Sequence, residues 1–314
     1  MTPVCRGLAA IISALIWAAP PAEASHAHSD PYRGLGAWVD RYDPDAWRRP
    51  ERTVRSLARK RVNTIFLRTG NYALADALPP RRALGHFVDT AHREHLQIVA
   101  WYAPDLCHLR RDKRRSLAAI RFRSARGQRF DSFGLDIESA CVRSPRRRNQ
   151  RLLRLSRSLR GAVGRNYPLA AIGPSPRGMQ LRAEAYWPRF PFAALHRHYD
   201  AFVLMTYFTY RATGTESVRA FTAKDIALLR AAVRDRDVAI HSIGGEAQRA
   251  TVADVRGFTA AVREANVHGV SSMTRPERRH KCGRASTEFS HYPPRGSRRR
   301  ARAARRLFRN ECST

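Results

Sequence analysis

The chain lacks the motifs by which nucleotide-binding and metal-dependent proteins are usually recognised. Its 18 glycines form neither GxGxxG nor GxxxxGK[ST], so the two common phosphate-binding loops are absent. Its five cysteines show no CxxC spacing and its 12 histidines no metal-ligand spacing. A hydrolytic zinc site needs clustered ligands of these kinds. We therefore expect no metal and no organic cofactor.

Acidic residues are also scarce. The 314 residues include 58 Lys and Arg against 26 Asp and Glu, a net charge of +32, and all but four of the basic residues are arginine. Such a surface attracts polyanions, for example anionic cell-wall polymers, acidic polysaccharides or released nucleic acid. Arginine spread over the whole chain also fits a compositional bias of the genome, so both explanations remain open.

Long apolar runs are missing except near the start. Residues 1–24 combine Arg6, an apolar run from Leu8 to Ala19, and a small-residue cleavage pattern ahead of Ser25. This predicts a secretory signal peptide. No other stretch has the length of a transmembrane helix. We expect a secreted mature protein with no stable membrane insertion after signal removal.

What the sequence does contain is a regular alternation of short apolar runs and helical patterns. The runs are residues 34–39, 62–68, 96–102, 131–138, 168–173, 201–208, 238–243 and 267–272. The helical pattern between the third and fourth runs is short, SLAAIRF (116–122). Eight such repeats in about 245 residues predict a (β/α)8 TIM barrel, a single α/β domain over residues 32–274. The alternative, an open doubly wound sheet, would favour a glycine-rich phosphate loop.

The last segment, residues 275–314, breaks this pattern and is rich in arginine. Only residues 297–309 could supply a poor eighth helix. The segment is interpreted as a polyanion-binding arm, a disordered solvated tail, or the product of a reading-frame slip. In the last case Cys282 and Cys312 would have no chemical role.

The other two cysteines of the mature chain follow neighbouring predicted strands. Cys107 comes after the third strand and Cys141 after the fourth. Export places them in an oxidising setting. We therefore predict a Cys107–Cys141 disulfide that clamps two loops together and contributes about 3 kcal/mol.

Polar and aromatic residues gather where the predicted strands end, which is where active sites form in such barrels. Aromatic rings stack on the C–H faces of sugars, while carboxylates and amides bind hydroxyls. We interpret eight residues as contacts for a polysaccharide substrate: Trp38, Asp40, Arg68, Asn71, Trp101, Asp105, Tyr210 and Glu246.

The stretch FDSFGLDIES (130–139) supplies a pair of carboxylates. In a strand, Asp136 and Glu138 share one face. Glycoside cleavage needs a protonated carboxyl that donates to the leaving oxygen. Two close carboxylates raise one pKa and keep one proton near neutral pH. We predict Glu138 as the acid and Asp136 as the group that holds and polarises it.

FDSFGLDIES and VLMTYF resemble the fourth and sixth strands of the chitinase-like barrels of glycoside hydrolase family 18. The fourth strand of that family reads Asp-x-x-Asp-x-Asp-x-Glu. Asp131, Asp136 and Glu138 fit this pattern, and Gly134 replaces the middle aspartate.

The sixth strand of the family reads Met-x-Tyr-Asp. Met205 and Tyr207 fit, and Phe208 replaces the aspartate. The family's tryptophan on the eighth strand has no counterpart near residues 271–273. The resemblance implies Glu138 as the acid/base, with Asp136 and Tyr207 supporting a substrate acetamido group that acts as an internal nucleophile.

Glu246 is the alternative second carboxylate, because strand seven lies across the barrel mouth from strand four. A separation of roughly 5–5.5 Å between the carboxyl groups would imply retention of configuration, and roughly 6.5–9.5 Å inversion. The sequence thus favours an exported glycoside hydrolase. The alternative is a non-catalytic barrel that binds carbohydrate or polyanion. A nuclease or phosphodiesterase is disfavoured because no metal-ligand cluster is present.

Overall fold

The structure, a computed structural model, describes residues 30–182 and 187–273, with only the backbone at 182. The predicted signal peptide and the tail from 275 to 314, with Cys282 and Cys312, lie outside the described residues. Among the described helices, none is both long and apolar enough to cross a membrane.

Eight parallel strands close into a barrel in chain order, and β1 pairs with both β2 and β8. This confirms the predicted (β/α)8 architecture. The strands are β1 (Gly34–Val39), β2 (Thr64–Asn71), β3 (Gln97–Ala103), β4 (Ser132–Asp136), β5 (Leu169–Pro174), β6 (Ala201–Met205), β7 (Ala239–Glu246) and β8 (Gly269–Met273). Strands covered on both faces read as nearly continuous apolar runs, which is why the sequence marked them so clearly.

Helices follow the strands and cover the outside of the barrel. They are α1 (Pro44–Arg48), α2 (Pro50–Arg59), α3 (Arg81–Arg93), α4 (Leu109–Ile120), α5 (Pro145–Val163), α6 (Pro176–Arg182), α7 (Phe192–His196), α8 (Thr215–Val233) and α9 (Val252–Glu264). Short 3-10 turns span Asp30–Tyr32, Phe208–Tyr210 and Ala247–Arg249.

One helix boundary differs from the prediction. The apolar pattern placed the helix after β3 at residues 116–122, whereas α4 begins at Leu109 and ends at Ile120. Its first half is the cationic run LRRDKRR, which has no apolar periodicity. Arginine and lysine are good helix formers, so propensity and contacts of Arg111 and Arg115 extend the helix toward its N-terminus.

The core has two layers because strand side chains alternate between the inside of the barrel and the helices. The outer layer, between strands and helices, is the larger one. The inner layer fills the barrel with Tyr32, Phe66, Val99, Trp101, Ala170, Ile172, Ala201, Val203, Met205, Ala239 and Ile243. The interior is therefore packed, and a ligand can enter only at an end.

Candidate active site

The end of β4 places two acidic residues at the barrel mouth. Asp136 is the last residue of β4, and its side chain is 8% exposed. Glu138 follows two residues later and is half-buried. Ile137 between them is fully buried in the outer core, as alternation requires. The predicted pair therefore shares one side of the chain, with Asp136 the deeper of the two.

The surroundings of Asp136 favour its protonated form. Burial raises the pKa of this carboxyl well above its ordinary value, and the charge of Glu138 raises it further. The guanidinium of Arg68 acts in the opposite direction, and the carboxylate of Asp40 adds to the increase. The balance keeps a proton at this position under conditions in which an exposed aspartate would have lost it.

Gly134 lies two residues before Asp136 in β4, at a position where the family pattern has an aspartate. A Cβ at this glycine would lie 2.6 Å from Cδ1 of Ile172 and 3.6 Å from Cβ of Trp101. The space that a side chain at position 134 would need is therefore filled by Ile172 of β5. Asp136 has an apolar floor where the family pattern has a further carboxylate.

Arg68 at the end of β2 is held between two rings and one carboxylate. Its Nη1 donates to Oδ2 of Asp40 at 3.0 Å. Its guanidinium carbon lies 4.9 Å from the ring of Trp101 and 5.3 Å from that of Tyr42. Although burial lowers the pKa of Arg68, the charges of Asp40 and Asp136 outweigh it and raise this pKa. Arg68 is thus a fixed cation beside the carboxyl pair.

Trp38 on β1 connects the ring of Trp101 to β8. Its ring stacks on Phe66 with centroids 4.5 Å apart and meets Trp101 edge-on at 5.6 Å. Its Nε1 donates to Oγ of Ser271 in β8 at 2.9 Å. Trp38 is half-buried, whereas Trp101 is 4% exposed beneath Arg68. Of the two predicted sugar platforms, Trp38 is thus the more accessible.

Tyr207 lies just beyond β6 in a strained backbone conformation. Its φ is 42°, in the left-handed region that non-glycine residues seldom adopt. Its hydroxyl donates to Sδ of Met273 in β8 at 3.2 Å. Phe208, which replaces the family aspartate, is 2% exposed and packs on Phe258 at 5.2 Å. No carboxylate therefore stands beside Tyr207 at position 208.

Tyr210 and Glu246 lie on the same side of the mouth as Tyr207. The ring of Tyr210 is 6.2 Å from that of Tyr207, is 47% exposed, and is covered by Arg249 at 4.8 Å. Glu246 ends β7 and is half-buried, and its backbone N–H donates to Oγ1 of Thr209 at 3.2 Å. Glu246 is thus located on strand seven at the rim, not on a distant loop.

Asn71 and Asp105, two predicted substrate contacts, are used to shape loops. Asn71 is 1% exposed, and its Oδ1 accepts from the backbone N–H groups of Ala73 and Leu74 at 3.0 and 2.9 Å. Asp105 accepts from the N–H groups of Cys107 and His108 at 2.8 and 2.9 Å. Burial would raise the pKa of Asp105, but hydrogen bonds from His108 and the charge of Arg111 lower it.

The predicted disulfide between Cys107 and Cys141 is present, with the two Cα atoms 6.1 Å apart. It joins the loop after β3 to the loop after β4, next to the carboxyl pair. Oγ of Ser139 adds a hydrogen bond to the carbonyl of Asp105 at 2.8 Å. Both loops are therefore tied together directly beyond Glu138.

Asp131, the first aspartate of the family pattern, lies away from the mouth. It precedes β4 at the opposite end, where it accepts from the N–H of Ile98 at 2.7 Å and contacts His92. Trp187, in the segment between β5 and α7, is fully buried against Arg148, whose guanidinium lies 4.6 Å above the ring. Asp131 thus holds the start of β4 to β3, and Trp187 serves packing.

The structure also adds residues to the site that the sequence did not single out. Ser271 and Met273 fix Trp38 and Tyr207 from β8, Ile172 forms the floor under Asp136, and Tyr42 covers Arg68. Tyr42 stood near the end of the first run, but nothing marked Ser271 or Ile172, whose importance depends on register between strands. Across residues 30–182 and 187–273, no three His, Cys, Asp or Glu side chains form a group that could hold a metal ion.

No protein-family model matches the chain, and no curated protein sequence matches it. Solved structures do. An endo-1,4-beta-D-mannanase from Thermotoga petrophila is 9% identical with a TM-score of 0.56, covering 77% of this chain and 88% of its own. The spore cortex-lytic enzyme SleL from Bacillus cereus is 8% identical with a TM-score of 0.54, covering 76% and 70%.

A GH18 chitinase from Pseudoalteromonas aurantia is 7% identical with a TM-score of 0.53, covering 77% of this chain and 94% of its own. At these identities the likeness shows the shared barrel and leaves the chemistry to the residues of the site.

Proposed function

We propose that this chain is an exported glycoside hydrolase whose proton donor is Glu138, and that it acts on a polysaccharide or cell-wall glycan. The observation that supports this most is the carboxyl pair at the end of β4. The pKa of Asp136 is raised by burial and by the charge of Glu138, so the pair retains one proton that two independent carboxylates would have lost.

In the proposed mechanism, Glu138 donates its proton to the oxygen of the scissile bond because it is the more exposed member of the pair. Asp136 lies deeper and shares the retained proton with Glu138. Because the pair holds one proton, it carries one negative charge before the transfer and two after Glu138 has donated. The fixed guanidinium of Arg68 offsets the charge that remains on the pair.

The second catalytic group has two candidates. The resemblance to family 18 favours a substrate acetamido group supported by Tyr207 and Asp136. The site lacks two of the family's aspartates, since Ile172 fills the space at Gly134 and Phe208 is packed in the core. Glu246 at the rim on β7 is the alternative carboxylate. Glu246→Gln would abolish hydrolysis only if this second route operates.

Substrate binding would use the half-buried ring of Trp38, the exposed ring of Tyr210 and the polar edge formed by Asp40 and Arg68. Aromatic faces and fixed polar groups around a mouth suit a sugar chain. The second candidate function is a barrel that binds carbohydrate without cleaving it. The absence of the family's aspartates at positions 134 and 208 favours this alternative.

The test is a glycan panel that includes β-1,4-mannan, chitin and peptidoglycan, with the mature protein beside Glu138→Gln. An exposed acid on α8 provides the matched control, Glu216→Gln. We expect Glu138→Gln to lose hydrolysis by about 10³-fold while glycan binding is retained, since removal of a general acid costs 10²–10⁴-fold. Binding by both proteins without hydrolysis by either would establish the non-catalytic alternative. Export is tested separately by the N-terminus of the mature protein, expected at Ser25.

A further inference from the structure

The charge on the outside of the barrel is distributed unevenly. On α2 and α3, Arg55 pairs with Glu94 and His86 with Glu51. On α8 and α9, Arg219 pairs with Glu264. Cations on these faces are therefore partly balanced by neighbouring acids.

The exposed surface of α4 and α5 carries no acid of its own, although Arg160 near the end of α5 pairs with Asp200 ahead of β6. The 19 residues of α5 include no Asp or Glu, and the only acid of α4, Asp112, is fully buried. Arg146, Arg147, Arg154 and Arg157 of α5 are exposed. The two helices pack against each other, so their cationic surfaces are contiguous.

The cations of α4 divide into two sets. Arg111 and Arg115 turn inward: Arg111 contacts Asp105, and Arg115 donates to the carbonyls of Asn71 and Ala75 at 2.6 and 2.9 Å. These two residues hold the loops after β2 and β3. They are needed for the fold and are not free to bind a partner.

The second set turns outward and lines a groove of about 440 Å³. We call this the α4 groove; its residues are Arg110, Lys113, Arg114, Leu117, Ala118 and Arg121. Its four cations are exposed, and none of them forms an ion pair or a side-chain hydrogen bond within the described part of the chain. Arg110 and Arg121 lie about 16 Å apart along the helix axis, so an extended chain could contact all four.

The groove has no aromatic residue, and neither do α4 and α5. Proteins that bind single-stranded nucleic acid or sugar chains on a surface usually stack bases or sugar faces on aromatic rings. The α4 groove offers four cations around the aliphatic side chains of Leu117 and Ala118, and its guanidinium forks match phosphate oxygens. A polymer that presents repeated phosphates, with no bases or sugar faces to stack, suits this surface.

We propose that the α4 groove binds a linear phosphodiester polymer with a flexible polyol backbone, of the kind found in anionic cell walls. The groove lies on the outer ring of helices, separate from the mouth of the barrel, and this inference does not depend on the proposed hydrolase activity. Binding there would hold the barrel on an anionic matrix and leave the mouth open.

The test compares two quadruple variants that remove the same charge. The first is Arg110→Gln, Lys113→Gln, Arg114→Gln and Arg121→Gln. The control is Arg52→Gln, Arg59→Gln, Arg256→Gln and Arg263→Gln, which are exposed positions on α2 and α9. Affinity for purified poly(glycerol phosphate) is measured by calorimetry on the full mature chain at several salt concentrations.

We expect the α4-groove variant to lose about 10³-fold in affinity, because four surface cations at roughly 1 kcal/mol each against an anionic surface together contribute about 4 kcal/mol. Its salt dependence should also be shallower. The control should lose less than about 3-fold. Equal losses in both variants would show that dispersed net charge binds the polymer, and absence of binding by the parent protein would also overturn the proposal. Duplex DNA or polygalacturonate bound equally tightly, with the same loss, would show a groove that does not select phosphodiester polyols. Unchanged melting temperatures exclude misfolding as the cause.

Discussion

The two ends of the barrel each bury an ionisable group, and the contrast between them shows what distinguishes a site from packing. At the end opposite the mouth, which we call the closed end, His241 of β7 is fully buried, and its Nδ1 lies 2.8 Å from the carbonyl of Tyr32. Tyr32 in turn contacts Ser132 across the barrel. At the open end, Asp136 is almost as deeply buried.

Burial disfavours charge at both ends but moves the two pKa values in opposite directions. It lowers the pKa of His241 to about 4, against one opposing hydrogen bond to Tyr32. It raises the pKa of Asp136, and there the nearby charges of Glu138, Arg68 and Asp40 also act. His241 is a neutral packing residue, whereas Asp136 belongs to a group of four interacting charges that reaches the mouth.

The largest expected effect concerns the open end. Asp136→Asn removes the carboxyl group that shares a proton with Glu138, while asparagine keeps the size of the side chain. We expect kcat on the substrate found in the glycan panel to fall by about 10²–10³-fold, within the range for loss of acid–base assistance. Steady-state kinetics on Asp136→Asn beside Asp45→Asn, an exposed aspartate on α1, measure this. An unchanged kcat in Asp136→Asn would mean that Asp136, like His241, serves packing alone.

At the closed end the expected effect is on stability alone. His241→Ala leaves a cavity next to Phe66, whose ring is 4.9 Å away, and leaves the carbonyl of Tyr32 without its partner. We expect a loss of about 3 kcal/mol in the free energy of unfolding, as for other large-to-small core substitutions. Urea unfolding measures it. A changed pH profile of activity in the folded His241→Ala protein would contradict this, because it would show that His241 affects the carboxyl pair at the mouth.

The disulfide provides a third test of the open end. Replacing both Cys107 and Cys141 by serine releases a loop whose ends are 34 residues apart in sequence. We expect a loss of about 3 kcal/mol in stability on the loop-entropy estimate. Thermal unfolding of the double variant beside the reduced parent protein checks this. A difference between those two samples would show that the serines act through something other than the missing bond.

The smallest expected effect is the pH dependence of stability. A buried acid with a raised pKa holds more protons in the folded than in the unfolded state above pH about 4, so its contribution falls as pH rises. His241 with its lowered pKa acts in the opposite way, and stability rises between pH about 4 and 6.5.

Asp136→Asn should therefore be more stable than the parent at neutral pH, by about 1–2 kcal/mol, with a difference that shrinks toward pH 4. Urea titrations from pH 4 to 8 measure it. A variant less stable than the parent throughout this range would mean that Asp136 is ionised and held by Arg68.

Much of the fold could be predicted because barrel strands are apolar on both faces and leave a plain signal in the sequence. Helix α4 could not be bounded in the same way, since its first half is cationic and its position depends on the contacts of Arg111 and Arg115. The carboxyl pair was predictable from the period of a strand. The roles of Asn71 and Asp105 in loops were not, because a buried side chain that caps backbone N–H groups resembles a ligand contact in the sequence.

The central claim is that Asp136 and Glu138 share one proton at the mouth of the barrel. The most direct measurement is the carboxyl 13C NMR titration of Asp136 in the parent protein and in Glu138→Gln. We expect a pKa well above that of an ordinary aspartate in the parent, and a lower pKa once the charge of Glu138 is removed. An ordinary pKa for Asp136 that does not respond to Glu138→Gln would contradict the account.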